Sequence, residues 1–328
     1  MYALGSKKML AMGILQILKD YTDFEHRLTQ QEIIDLLDKN YGMICDRKSV
    51  KSNILNLIEW GYEIENDKGW YLVEREFEDI ELKMLIDSIL YSKSIPANQA
   101  KMLIEKVKSL GNIYFESKMN HIVNVAELNH TDNKQALINI CAIEEAIEKN
   151  KQIEFIYNTY GTDKKLHPRR EEKYVVNPYK IVYSNNKPYL ICNMDKYDKI
   201  SNYRVDRMTD VNILDTKLKP REKVKELEQG LSVPKYLSER IYMFSDDVAM
   251  AKIKVRKGIM GEVVDWFGRD FTVREENEEE AIIAVKCSET ALCFWALQYA
   301  DYVEVLEPEN VRQRIKESVK GLVGKYEV

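Results

Sequence analysis

The hydrophobic period of this chain changes along its length, and no single layer of structure satisfies all of it. Up to about residue 150, apart from a short stretch near 62–73, the apolar residues recur at three- and four-residue intervals, and from Gln152 they alternate. Beyond a charged stretch from Lys217 to Gln229, alternating runs interleave with helical ones. A period of 3.6 lines one face of a helix, whereas a period of two lines one face of a strand. The chain is therefore expected to be α+β and multidomain. Its 328 residues leave room for two or three cores at about 100 to 200 residues each.

Leu10, Ile14, Ile17, Leu18 and Tyr21 define the apolar stripe of a first helix. Thr29-Gln30-Gln31-Glu32 reads as a capping box opening a second, in which Ile33, Leu36 and Leu37 face inward. Asp46 is a good N-cap for a third, which carries Val50, Ile54, Leu57 and Ile58 inward and is stopped by Gly61 in the C-cap position. Tyr62-Glu63-Ile64-Glu65 and Trp70-Tyr71-Leu72-Val73 alternate around the turn Asn66-Asp67-Lys68-Gly69, which predicts a β-hairpin. Three helices closed by a hairpin spell a winged helix-turn-helix over residues 1–75, whose third helix enters a DNA major groove with the hairpin as its wing.

Residues 76–150 read as a helical connector. Ile80, Leu82, Leu85, Ile86, Ile89 and Leu90 mark one helix, Leu103, Ile104 and Val107 the next, and Ala136 to Glu148 another. The segment is too apolar for a flexible linker and is expected to pack on a neighbour or a second subunit. Over 151–217 five alternating runs, Ile153-Phe155-Tyr157, Tyr174 to Tyr183, Pro188 to Cys192, Ile200 to Val205 and Val211 to Leu214, predict a small barrel or strongly curled sheet. Tyr160-Gly161-Thr162-Asp163 and Ser184-Asn185-Asn186-Lys187 supply its turns. Residues 245–328 read as a separate α+β module with strands at Val248 to Val255, Phe271 to Arg274, Ala281 to Val285 and Val303 to Leu306. Its helices run from Gly258 to Trp266, Thr290 to Tyr299 and Val311 to Val323, and Trp266, Phe294 and Trp295 read as core.

Several function classes find no support. Walker, GxGxxG, GxSxG and HExxH patterns do not occur, so no enzyme activity and no cofactor is expected. Cys45, Cys141, Cys192, Cys287 and Cys293 are scattered and read as reduced core thiols of a cytoplasmic protein. With His26, His121, His130 and His167 they make no metal-ligand spacing. The apolar run from Met9 to Leu18 lacks a cleavage pattern and falls short of the roughly 18 residues needed to span a bilayer, so no membrane partner is expected.

The pattern as a whole resembles the WYL family of bacterial transcriptional regulators, with a winged helix, a WYL barrel and a C-terminal extension domain. The resemblance is carried by Tyr21-Thr22-Asp23, Thr29-Gln30-Gln31-Glu32-Ile33-Ile34, Asp46-Arg47-Lys48-Ser49-Val50, Asn177-Pro178-Tyr179 and Tyr189-Leu190-Ile191. Above all it is carried by Tyr203-Arg204-Val205-Asp206-Arg207-Met208, which is similar to the family's aromatic-Arg-x-Asp-Arg signature. Pro188 stands where the family usually has tryptophan. The resemblance implies a small Sm/SH3-like barrel with Tyr189, Arg204 and Arg207 as ligand contacts.

Charge placement suggests two sites. Residues 1–60 hold eight basic and eight acidic side chains, yet Arg47, Lys48 and Lys51 cluster at the front of the third helix. Stepping 100° per residue from its buried stripe turns Lys48, Ser52 and Asn56 outward, with Ser49 and Lys51 on the flanks. Lysines and serines suit phosphates, and Asn56 suits an adenine edge. With Lys68 in the wing, these residues form the candidate DNA surface. In a chain of net charge -5, residues 151–219 hold fourteen basic against nine acidic residues, interleaved with eight tyrosines. Aromatic faces and guanidinium forks can stack bases and clamp phosphates. His167, Arg169 and Arg170 join the candidate ligand residues on charge and turn placement.

The expected function is a ligand-responsive regulator, binding operator DNA as a homodimer because one reading helix contacts few bases and paired half-sites lie about 34 Å or a multiple apart. Its effector is expected to be a nucleotide or single-stranded nucleic acid. An accessory single-stranded DNA or RNA binder, with the winged helix docking a protein, remains the alternative on residues alone.

Overall fold

The structure, a computed structural model, describes residues 9–119, 133 and 135–326. Lys7, Lys8, His121 and His130, and the helical reading over 120–132 and 134, lie outside the described residues. The chain divides between Thr131 and Asp132 into two units.

The first unit begins with α1 (Leu10–Tyr21), α2 (Gln30–Tyr41) and α3 (Arg47–Trp60). The Thr29 hydroxyl accepts from the Glu32 amide while the Glu32 carboxylate accepts from the Thr29 amide at 2.7 Å, completing the capping box. Asp46 accepts from the Ser49 amide at 2.8 Å, and Gly61 ends α3 with a φ of 116°, which a side chain would strain. Ile14, Ile17 and Leu18 of α1 pack against Ile33 and Leu37 of α2 and Val50, Ile54 and Leu57 of α3. Full burial of each such side chain contributes about 1.5–3 kcal/mol. Ile58 departs from the sequence reading: at 38% exposure it lies at the edge of the stripe rather than in it.

The hairpin of β1 (Ile64–Asn66) and β2 (Trp70–Leu72) follows, with Trp70 and Leu72 closing the core. Leu28 pairs with Trp70 as a third line of backbone hydrogen bonds, at 2.7 and 3.0 Å. Arg75 caps the far end of α1 by donating to the carbonyls of Leu18, Lys19 and Thr22. Beyond it, α4 (Asp79–Leu90), α5 (Ala97–Lys108) and α6 (Ile113–Lys118) gather Leu82, Ile86, Leu90, Ile104 and Phe115 into a small core.

The second unit opens on α7 (Ala136–Glu148), then β3 (Lys151–Tyr160), β4 (Leu166–Pro168), β5 (Tyr174–Ser184), β6 (Lys187–Asn193), β7 (Ile200–Arg204), a 3-10 turn over Val205–Arg207, and β8 (Met208–Lys217). The strands run in the order β4-β3-β5-β6-β7, and β8 also pairs with β3, so the sheet curls on itself. Register breaks in β3 and β5 provide the bends. Asn185 and Asn186 hold φ of 50° and 57° in the β5–β6 turn, the two left-handed positions that a tight hairpin requires. Grouped with the connector on its sequence, α7 instead buries Ile143 and Ala146 against Ile153, Phe155, Val176 and Val205 of the curled sheet.

The charged stretch after β8 is anchored rather than loose. Val224 and Leu227, with Tyr236 of α8 (Val233–Glu239) and Met243, cover Tyr179, Val182, Ile191 and Ile200 on the other side of the sheet. The closing module is β9 (Val248–Arg256), α9 (Met260–Phe267), β10 (Thr272–Glu276), β11 (Glu280–Ser288), α10 (Glu289–Gln298), β12 (Val303–Glu307) and α11 (Glu309–Tyr326). Its antiparallel sheet, ordered β10-β11-β9-β12, is a ferredoxin-like split βαβ. Trp295 is fully buried with its ring 4.8 Å from Phe267, and Trp266 packs at the margin, donating to the Tyr299 hydroxyl. Phe294 corrects the core reading: it is 57% exposed and stacks on Phe244, because α10 turns it away from the sheet. Of the cysteines, Cys192, Cys287 and Cys293 are buried, whereas Cys45 is half-buried and Cys141 exposed, contrary to a core position for all five.

Candidate nucleic-acid and ligand sites

The N-terminal caps fix the axis of α3 and therefore which residues it turns outward. Arg47, Lys48, Lys51, Ser52 and Asn56 are all exposed, as the angular argument expects. Ser49 is half-buried and donates its hydroxyl to Asp46 at 3.1 Å, so it belongs to the cap. Arg47 donates to the Gln31 side chain at 3.1 Å, linking α3 to the start of α2. Lys48 and Lys51 stand without an ion-pair partner among the described residues. Lys68 is exposed at the wing tip with a φ of 60°. Arg27, which the sequence offered only as a charge, holds that tip in place. Its guanidinium donates to the Asp67 carbonyl at 2.8 Å and the Asp67 carboxylate at 2.5 Å, and lies 5.1 Å from the Tyr71 ring centre and 5.3 Å from that of Phe24.

The second site forms where β6 and β7 run into the 3-10 turn. Tyr189 stands directly opposite Arg204 in the β6–β7 register, and the Arg204 amide donates to the Tyr157 hydroxyl at 3.3 Å. Arg204 forks onto Asp206, Nε to Oδ1 at 3.0 Å and Nη2 to Oδ2 at 2.5 Å, with the side chains 17% and 6% exposed. Burial works against the Arg204 charge, but the hydrogen bond and charge of Asp206 outweigh it and raise the guanidinium's pKa. Arg207 differs: it forms no ion pair among the described residues, its buried Nε has no hydrogen-bond partner, and its guanidinium lies 6.0 Å from the Tyr160 ring centre. Burial pushes the Tyr189 phenol up from its ordinary value against the pull of Arg204 and Arg207. A guanidinium without an ion-pair partner has the chemistry to hold an anion.

His167 and Arg170 are engaged elsewhere, and the Arg169 side chain faces solvent. His167 pairs with Asp163 at 2.9 Å within the β3–β4 turn. Arg170 lies 3.6 Å over the Tyr174 ring and donates to the carbonyls of Glu172 and Lys173. Tyr157 and Tyr203 pack edge to face on Phe155 while Tyr174 stacks on it, as aromatic residues of a sheet commonly do. Sequence reasoning passed over three residues that touch the 3-10 turn: Asn133, Asn139 of α7 and Asn158 of β3, all buried. The available signal was an asparagine within the buried stripe Ala136, Asn139, Ile143 and Ala146. Among the described residues no group of His, Cys, Asp and Glu could hold a metal, and no helix is long and apolar enough to cross a membrane.

The curled sheet, with α7 on it and the Tyr189–Arg204–Arg207 cluster at its β6–β7 end, coincides with residues 139–213, which match the WYL domain family. The chain carries a WYL domain. The split βαβ module that follows it matches the WCX domain family over residues 248–323. Among solved structures, the WYL-domain chain is similar to proteasome accessory factor B/C (PafBC) of Arthrobacter aurescens, at 16% identity and a TM-score of 0.32. That likeness covers 99% of this chain and 49% of PafBC, so the chain spans about half the length of that protein. A second similar structure is a CRISPR Cas-related protein, at 17% identity and a TM-score of 0.40, covering 77% of this chain and 75% of that one. No curated protein matches the chain.

Proposed function

We propose that this WYL-domain chain is a cytoplasmic, DNA-binding transcriptional regulator that acts as a homodimer, and that its barrel senses an anionic ligand, a nucleotide or a short single-stranded nucleic acid, without catalysing a reaction. The observation that carries the reading is the uncovered face of α3, where Lys48, Lys51, Ser52 and Asn56 stand exposed beside a wing fastened by Arg27. Lysines on such a face meet phosphates, and an amide can read a base edge.

The dimer is supported by α4. Its buried stripe of Leu82, Ile86 and Leu90 is opposed by Ile80, Met84 and Tyr91, each more than half exposed, and a helix apolar on both sides needs a cover. The ligand reading is supported by Arg207, a guanidinium without a counter-ion beside Tyr189. Free thiols suit a reducing compartment.

The test uses duplex DNA recovered by genomic pull-down with the purified protein. Lys48→Glu with Lys51→Glu is expected to weaken a gel shift by more than about tenfold with the melting temperature unchanged. Unaltered duplex affinity would refute the assignment of α3. Binding confined to single strands, with steep salt dependence, would replace the regulator by an accessory single-strand binder. Arg207→Ala is expected to leave ligand-free duplex affinity as it is and to remove the response to a short single strand.

A further inference from the structure

The turn that carries Asp206 and Arg207 lies between two strands, so its carbonyls have no ladder to bond to and must be satisfied in another way. The Val205 carbonyl is closed within the turn by the Met208 amide. The next three all accept from asparagine side chains. Asn133 donates to the Asp206 carbonyl at 2.9 Å and to the Met208 carbonyl at 2.8 Å, Asn139 donates to the same Met208 carbonyl at 2.8 Å, and Asn158 donates to the Arg207 carbonyl at 3.0 Å. These asparagines are 6%, 3% and 4% exposed, so water does not compete for the bonds.

Asn133 differs from the other two in where it stands. Its Nδ2 bonds the ligand turn while its Oδ1 accepts from the Gln135 amide at 3.0 Å, at the foot of α7. One side chain therefore joins the Arg204–Arg207 turn to the start of α7, and it belongs to the second residue of the second unit. Asn139 grips the same carbonyl from within α7 and has no such position.

The geometry points to Asn133 as a positioning residue that couples the two: a displacement of the Val205–Met208 turn is transmitted through its amide to the start of α7, where the chain from the DNA-binding unit enters. The inference rests on the ligand reading above for what would displace the turn, but not for the connection itself. A coupling of this kind is reciprocal, so disturbing either side must be felt at the other.

Hydrogen exchange in the full chain, followed in peptides covering 133–140 and 205–210, tests it without a ligand. Asn133→Asp keeps the shape and the acceptor for Gln135 but cannot donate, and is expected to speed exchange about tenfold in the 205–210 peptide. Asp206→Ala disturbs the turn from the opposite side. It is expected to speed exchange in both peptides in the native background and with Asn139→Ala, but to leave 133–140 unmoved once Asn133→Asp is present. A merely structural asparagine would not produce that dependence on background. Should Asp206→Ala fail to fold, Arg204→Ala disturbs the same turn more gently. If the disturbance stays within 205–210 in the native background, or reaches 133–140 equally with Asn133→Asp, the coupling is refuted. Fluorescence anisotropy with labelled pentathymidylate separates the two readings: no binding alongside a positive exchange result removes the ligand and leaves the coupling standing.

Discussion

The Arg204–Asp206 pair decides which arginine is available to an anion, and its energy can be measured. With side chains 17% and 6% exposed, the pair is largely out of water, and both hydrogen bonds of the fork are formed. Removing one member of such a pair leaves the other desolvated and alone, which costs about 3–5 kcal/mol in fully buried cases. Because Arg204 keeps some contact with solvent, Asp206→Ala is expected near the lower limit, about 3 kcal/mol. The double replacement removes both charges together, so it should cost less than the sum of the single changes, with a coupling of about 2 kcal/mol. Urea unfolding of the native protein, the two single variants and the double variant measures this, provided the denaturant slope stays constant. Single losses below about 1 kcal/mol, or additivity within about 0.5 kcal/mol, would mean that Arg204 is not committed to Asp206. In that event the assignment of the anion contact to Arg207 rather than Arg204 would fall.

Two further outcomes concern backbone strain and a half-buried carboxylate. Gly61→Ala meets no neighbouring atom within 4 Å but forces an alanine to a φ of 116°, so it is expected to lose about 1 kcal/mol or more from backbone strain alone. Gly321→Ala, in open space on α11, is expected to gain up to about 1 kcal/mol, and equal effects in thermal unfolding would refute the distinction. Burial of Asp23 works against its charge, but hydrogen bonds from His26 and Asn112 outweigh it and lower its pKa from 3.8. Its stabilisation is therefore present above about pH 4 and lost as pH falls through the lowered value. Asp23→Asn should narrow the stability gap to the native protein below pH 4, and a gap independent of pH would contradict this.

What the sequence made legible was local. Thr29, Asp46 and Gly61 announce helix ends because capping involves atoms three or four residues apart, and Asn185-Asn186 announces a turn because its backbone angles are local as well. The signature Tyr203 to Met208 falls at the end of β7 and in the 3-10 turn, and Tyr189 stands opposite Arg204 in the β6–β7 register. It could not say that Asp206 would take the Arg204 fork, since a spacing of two along the chain fixes no side-chain direction in a 3-10 turn. His167 and Arg170 were chosen on charge and turn placement, and Asp163 and Tyr174 engage them. Ile58 and Phe294 show the same limit for apolar residues: periodicity gives a stripe, but its edge is set by what packs against it. The anchoring of Val224 and Leu227 was invisible because their neighbours, Tyr179 and Ile191, lie more than thirty residues away in a charged context.

Arg27 stiffens the first unit from within. It ties the loop before α2 to the tip of the hairpin, while the Leu28–Trp70 bonds stitch the same loop to the hairpin's returning strand. In the regulator proposed above, a head fastened in this way would keep one shape on and off DNA. Under that proposal, control by a ligand would act less by remodelling the grip than by changing how far apart the two heads of a dimer are carried.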